Sequence, residues 1–313
     1  MRSFISGVAF RAGDQVPVEE LFEPTPEGAA GLSFYRARGL KYFRRQASST
    51  QSMCYDSISE SLRKSATDPG SIGTILVDVD LWHCSAEDRL QIFESLNLTG
   101  LDGIPVIGVG LQTCSAAATV LDLADRLVRT DEHRRPVLVL ICGRVEPGAN
   151  RVDNLRKTIL SDGVAACVVT PQRGEFQILS TETRINLATA REKTVGGNSA
   201  ASLVSGYGDL SSLASGICER AGVSPAAIDR LFCTNGSTIY TNFIADAAGV
   251  DSERVYADDV ANFGHISSCD NLISLATYGD RNRYVSGHSY MLIGWSPYVV
   301  SGAVLMYSGT QGV

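Results

Sequence analysis

A cysteine becomes a strong sulfur nucleophile by losing one proton, and Cys114 stands where that loss is favoured. It follows the apolar, β-branched run Ile104–Val109 and precedes a stretch in which Ala117, Val120, Leu121, Ala124, Leu127 and Val128 recur at helical spacing. That pattern marks a strand-to-helix junction. Thr113 is read as the N-cap, which places Cys114 in the first helical turn, where unpaired N–H groups and the helix dipole favour an anion. A thiolate so placed suits attack on a thioester carbonyl, with the Cys114 N–H as one natural donor to the resulting oxyanion. The other reading is a buried inert thiol, since cysteine is among the most buried residue types. Taken alone, Cys114 leaves both readings open.

The chain has only four histidines, so each can be judged by its surroundings. His133 lies in the charged run Thr130–Arg135 and reads as a surface loop residue, and His288 follows Gly287 in a turn. His83, beside Trp82 at the end of an apolar run, reads as a satisfied core histidine, with both residues kept as candidate pocket walls. His265 falls in the small-residue loop Gly264–Ser268 ahead of a helical pattern. An imidazole of pKa near ~6.5 can take a proton from a hydroxyl, amine or thiol at neutral pH. The eight cysteines are scattered singly, with no close pair of zinc-site spacing, so no metal is expected.

Stepping outward from these residues, 313 positions with 44% hydrophobic and 19% charged content describe a chain able to bury a sizeable core. The net charge of −7 argues against nucleic acid as a partner. Positive charge is instead local: Arg36, Arg38, Lys41, Arg44 and Arg45 crowd into ten residues. They read either as a solvated face or as a docking surface for a phosphate-bearing or acidic partner. Several cysteines sit inside apolar runs, which suits reduced core thiols. Met1–Phe10 lacks the long apolar core of a signal peptide, and no segment approaches the ~20 apolar residues of a membrane span. A cytoplasmic protein with no membrane association is expected.

The elements that must hold Cys114 and His265 alternate. Strands are predicted at Ser3–Phe10, Gly73–Val79, Ile104–Val109, Pro136–Cys142 and Asp162–Val169, with helices at Ser49–Lys64, Ala86–Leu96 and after Cys114. That half reads βαβαβαββ, an α/β sheet with helices on its faces. After a polar boundary from Pro171 to about Asn198, expected to hold a hairpin or extended excursion, the rhythm returns. Helices are predicted at Leu203–Gly222, from Ser224-Pro225, at Thr238–Ala248 and at Ser267–Tyr278. Strands are predicted at Asp229–Cys233, Val255-Tyr256, Tyr290–Gly294 and Val299–Tyr307. A duplicated architecture is the economical reading, with halves 1–172 and 173–313.

The order of motifs resembles the thiolase-fold condensing enzymes, specifically the β-ketoacyl-acyl-carrier-protein synthase III group, over nearly the whole chain. Arg38-Gly39-Leu40 is similar to the family's early Arg-Thr-Gly-Ile element near the pantetheine entrance. Cys114 followed by Ser115-Ala116-Ala117 resembles the family's nucleophile, and Ser161–Ala166 resembles its Gly-Asp-Gly-Ala-Gly-Ala segment. Leu231–Ser237 sits where the family carries His-Gln-Ala-Asn, and Gly264–Ser268 where it carries Gly-Asn-Thr-Ser-Ala. The resemblance therefore implies a layered α-β-α-β-α thiolase-like fold, with Thr234 at the family's histidine position and His265 at its asparagine position. It places Asn235 among the pocket residues and implies an altered C-terminal oxyanion loop, Gly294–Pro297, in which Ser296 is the candidate N–H donor.

The substitutions matter for chemistry. Decarboxylative condensation needs two donors on an enolate oxygen, and threonine is a weak neutral donor beside an imidazole. The favoured expectation is an acyltransferase that loads Cys114 from acyl carrier protein or coenzyme A and passes the acyl group to a small-molecule or carrier-bound alcohol, amine or thiol. His265 would be the base, in specialised metabolism of polyketide or fatty-acid type. No cofactor beyond the acyl carrier is expected, and the resemblance implies a homodimer. The alternatives are a decarboxylative β-ketoacyl synthase and a non-catalytic partner subunit of a heterodimeric condensing enzyme.

Overall fold

The computed structural model describes residues 3–46, 48–79, 85–153, 157–186, 200–296 and 298–309. The strands are β1 (Phe4–Ala12), β2 (Asp14–Pro17), β3 (Tyr42–Arg45), β4 (Thr74–Val79), β5 (Val106–Val109), β6 (Val137–Gly143), β7 (Val152–Asp153), β8 (Thr158–Ile159), β9 (Gly163–Thr170), β10 (Phe176–Ile185), β11 (Ile228–Cys233), β12 (Ser289–Trp295) and β13 (Val299–Tyr307). The described helices are α1 (Pro26–Arg36), α2 (Thr50–Ser65), α3 (Ala86–Leu98), α4 (Ala116–Thr130), α5 (Ala200–Ala221), α6 (Thr238–Ala248), α7 (Asp258–Phe263) and α8 (Cys269–Arg281).

Nine strands form one sheet in the order β11-β12-β13-β10-β1-β9-β6-β4-β5. β1 and β10 join its halves through a narrow antiparallel register, Phe4 opposite Gln177 and Ile5 opposite Phe176. The first half, taken from β5 to β1, holds its strands in the chain order third, second, fourth, fifth, first. The second half repeats that order. Its third strand is reduced to a single parallel bridge between Val255 and Leu231, which is all that forms where a short strand is predicted at Val255-Tyr256.

Period-two alternation puts apolar side chains on both faces of the inner strands. Along β6, Val139 and Ile141 face a core shared with Ala117, Val120 and Leu121 of α4 and Leu272 and Ile273 of α8. Leu138 and Leu140 face the opposite core, with Ile58 of α2 and Ile92 of α3. In the second half, Met291 and Ile293 of β12 pack under Leu213 of α5 and Ile244 of α6. α4 and α8 thus lie between the two halves, with α2 and α3 outside one and α5 and α6 outside the other. This is a layered α-β-α-β-α arrangement.

Two local expectations are corrected, and two further elements appear. Residues expected to form a polar boundary include β10, a ten-residue strand at the sheet's centre. Its polar side chains are satisfied by partners distant in sequence: Ser180 donates to the Ile217 carbonyl at 2.6 Å and Thr181 to Asp122 at 2.6 Å. Ser224-Pro225 opens only the three-residue 3-10 turn Pro225–Ala227. α7 and the small β7–β8 hairpin carry too few apolar repeats to be read from sequence.

Candidate active site

The nucleophile turn is tighter than the sequence implies. Cys114 lies in the 3-10 turn Thr113–Ser115, and α4 begins at Ala116. Thr113 is not the N-cap: it lies within the 3-10 turn, with a left-handed φ of +46°. Ser115 takes that position without a side-chain cap bond, its hydroxyl donating instead to the Gln112 carbonyl at 2.6 Å. Leu111 is also left-handed at +66°. Two such non-glycine residues cost on the order of 1–3 kcal/mol each, tolerated where surrounding structure over-determines them. The second half supplies that structure. Ser301 donates its hydroxyl to the Ser115 carbonyl, and β12 runs so close that a Cβ on Gly294 would lie 2.7 Å from Ser115 Cα. Gly294→Ala is accordingly expected to destabilise the protein by about 1–3 kcal/mol and to slow modification of Cys114. Thermal unfolding and thiol labelling followed by mass spectrometry check both effects.

His265 is placed by an equally constrained loop. Gly264 adopts φ +62°, and a Cβ there would meet the Ile159 carbonyl oxygen and Ser161 Oγ, each at 2.9 Å. The His265 N–H donates to Ile159 at 2.9 Å, while its carbonyl accepts from the Ser161 N–H at 2.9 Å. Gly143 and Gly163, opposite each other in the β6–β9 register, leave room for the Ile266 side chain. The imidazole then reaches both ways. Nε2 lies 3.0 Å from Cys114 Sγ and Nδ1 lies 2.6 Å from Asp270 Oδ2.

Asp270, in the first turn of α8, was not among the sequence candidates. Its Oδ1 accepts the Ile266 N–H at 2.8 Å, and its Oδ2 also accepts the Asn235 N–H at 2.7 Å. These bonds hold the carboxylate in place and fix the imidazole's orientation. Cys114 is 4% exposed, and His265 and Asp270 are 1% exposed. Burial alone would lower the His265 pKa. The charges on Cys114 and Asp270 and their hydrogen bonds outweigh burial and raise it to about 10. An imidazolium at this distance favours the thiolate form of Cys114.

The remaining candidates divide. The Thr234 N–H donates to the Ile293 carbonyl at 3.2 Å and its hydroxyl oxygen accepts the Trp295 N–H at 3.1 Å. It makes no hydrogen bond to Cys114 or His265 and instead ties the end of β11 to β12. Asn235 orients Asp270 through its backbone, while its side-chain Nδ2 donates to Ser274 at 3.3 Å. Ser296 is corrected as an oxyanion donor: its N–H is committed to the Val299 carbonyl at 2.9 Å, closing the β12–β13 turn. Trp295 beside it stacks on Tyr240 at 4.8 Å and Phe243 at 5.1 Å. Trp82 and His83 lie outside the described residues.

The five cations do not act alike. Arg36 pairs with Glu19, and Arg45 with Glu20 at 3.2 Å. Arg38 covers the Phe34 ring at 3.4 Å, a ring that Lys157 also approaches at 6.0 Å. Lys41 is exposed. Arg44 turns inward, donating Nε to the Asn262 carbonyl at 2.8 Å over the Phe263 ring, so its part is to brace the segment leading to His265. The Arg38-Gly39 corner is locked to the start of α6, where Thr238 donates its N–H to the Arg38 carbonyl at 3.0 Å.

The fold and the Cys114–His265–Asp270 series mark out one candidate active site. The sequence matches the family described as 3-oxoacyl-[acyl-carrier-protein (ACP)] synthase III over residues 111–186, and that family's C-terminal portion over residues 218–307. The chain belongs to this thiolase-fold family of condensing and acyl-transferring enzymes. No curated protein sequence matches it significantly. Among solved structures it resembles ChlB3, described as an acyltransferase, with a TM-score of 0.85 at 16% identity, covering 98% of each chain. The 3-oxoacyl-[acyl-carrier-protein] synthase III of Aquifex aeolicus VF5 gives 0.78 at 17% identity, covering 97% of this chain and 100% of that one. Cerulenin-bound OleA of Xanthomonas campestri gives 0.79 at 17%, covering 98% and 99%. At these identities the likeness is one of fold.

Proposed function

We propose that this protein is an acyltransferase. It takes an acyl group from an acyl-carrier-protein or coenzyme A thioester onto Cys114 and passes it to an alcohol, amine or thiol, with His265 as the base. One observation carries the reading: Cys114, His265 and Asp270 form a continuous relay in which both imidazole nitrogens are engaged. Thiolate attack forms the C–S bond and expels the donor as a thiolate, which then takes the Nε2 proton and departs as the thiol. Nε2 is then a neutral base beside the acyl carbon, ready to accept the acceptor's proton. A condensing reaction would instead need two donors on one enolate oxygen. Nδ1 is committed to Asp270, so the imidazole has one N–H, that on Nε2, to offer such an oxygen. An intact relay equally disfavours a non-catalytic partner subunit.

In this reading residues 1–172 supply the nucleophile and residues 173–313 the histidine and acid, and no cofactor is needed beyond the acyl carrier. The seven described cysteines are buried and none is in a disulfide, which supports a reducing compartment such as the cytoplasm. No described helix is long and apolar enough to cross a membrane. A second copy of the chain would cover the outer edge of β5, where Ile107 and nearby Leu90, Phe93 and Leu98 are exposed.

The test is to incubate the protein with a panel of carrier-protein and coenzyme A thioesters and look by intact mass for an adduct that vanishes in Cys114→Ala. No adduct from any donor would sink the proposal. Release of carbon dioxide from added malonyl carrier protein would replace transfer by condensation. Lys41→Glu is expected to raise KM several-fold for a carrier-borne donor and to leave KM for the same acyl group on a short uncharged thiol unchanged. Steady-state kinetics at two salt concentrations check it.

A further inference from the structure

We propose that the same centre accepts unactivated oxygen esters as acyl donors, so that it exchanges acyl groups between alcohols as well as taking them from thioesters. The inference rests on the acyltransferase reading of Cys114 and extends it to a second donor class. A thioester donor expels a thiol of pKa about 8.5, which leaves readily as the anion. An alkoxide does not leave unaided, so cleaving its ester needs a proton delivered to the departing oxygen.

The site holds such a proton in place. With Nε2 at 3.0 Å from Cys114 Sγ, the imidazolium N–H adjoins the atom that becomes bonded to the tetrahedral carbon. The leaving oxygen on that same carbon falls within its reach. Asp270 holds the opposite nitrogen at 2.6 Å, so the ring stays aimed as the proton moves. The timing is also favourable. The thiolate's charge helps keep His265 protonated, and when that charge passes into the new C–S bond the imidazolium becomes a better acid.

The step balances. Sulfur attacks the ester carbonyl, the C–S bond forms and the C–O bond breaks. The oxygen leaves as the alcohol with the Nε2 proton, giving acyl-Cys114 and neutral His265. The second half is its reverse with another alcohol, so a site able to form an ester through His265 as base must also cleave one through His265 as acid. Near-complete burial of all three side chains limits water, which favours exchange over hydrolysis.

The experiment first finds an acyl group that labels Cys114 from its thioester, then offers that group as its 4-nitrophenyl, phenyl, trifluoroethyl and ethyl esters. Adduct formation is followed by intact mass. The expected result is labelling by the whole series, with rates varying by less than about a hundredfold as the alcohol worsens as a leaving group. In Asp270→Asn, labelling from the ethyl ester is expected to fall about 10²-fold further than labelling from the thioester, a split that a merely structural role would not produce. Labelling by thioester and nitrophenyl ester alone would overturn the inference and leave the acyltransferase reading standing for amine and thiol acceptors. Absence of thioester labelling would overturn both. The wild-type series is decisive even if the variant does not fold.

Discussion

Asp270→Asn is expected to slow passage of the acyl group from Cys114 to its acceptor by about 10³–10⁴-fold, the scale seen when the acid behind a catalytic histidine is made neutral. The carboxylate serves three donors: the Ile266 N–H on one oxygen, and the Asn235 N–H and His265 Nδ1 on the other. An amide offers one oxygen and one NH2. If the oxygen stays with Ile266, the NH2 faces two donors, so His265 must turn Nδ1 into an acceptor and carry its proton on Nε2. Nε2 is then no longer a base. The Asn235 N–H is left unmet, adding about 1–3 kcal/mol of destabilisation. Single-turnover transfer from a preformed acyl-enzyme, with thermal unfolding alongside, separates the two effects. A transfer rate within tenfold of wild type would show that Asp270 only holds the loop.

Asp270 is also where the limits of sequence reading are clearest. It stands five residues after His265, at the start of a helix whose apolar pattern accounts for the segment without assigning the acid any task. Nothing in the chain marks that α8 begins close enough for its first turn to reach back to the imidazole. That depends on Gly264 and on the glycine pair beneath Ile266. The left-handed Thr113 is hidden for the same reason, being imposed by β12 and β13 from the other half.

Elements with strong local signals were legible to the residue. α6 spans Thr238–Ala248 as expected, since Ser237 caps it and Gly249 ends it at φ +67°. β13 spans Val299–Tyr307 as expected, a run that is apolar apart from Ser301 and Gly302. Cys114 was legible as a junction cysteine and His265 as a loop histidine. Their 3.0 Å contact joins residues 151 positions apart and belongs to tertiary structure alone.

That contact has a measurable signature in pH. A cysteine of ordinary pKa, about 8.5, is only about three parts in a thousand thiolate at pH 6, and its alkylation rises nearly tenfold per pH unit to that value. Here the His265 pKa, raised to about 10, keeps the imidazolium present throughout the neutral range. A positive charge at 3.0 Å from Sγ holds the sulfur as thiolate below the pH where a lone thiol ionises. The sign follows: the advantage is greatest at low pH and shrinks as pH rises, because an unassisted thiol then ionises unaided. Alkylation of Cys114 by iodoacetamide is therefore expected to be nearly flat from about pH 6 to pH 9, within about threefold. His265→Asn should restore the ordinary slope and react about 10²-fold more slowly than wild type at pH 6, with the two rates converging near pH 9. Because alkylation needs neither donor nor acceptor, the profile reads the ion pair directly, whatever acyl group the enzyme carries. An ordinary slope in the wild type would mean that the proton rests on sulfur. His265 would then have to act as a base in the first half-reaction as well as in the second.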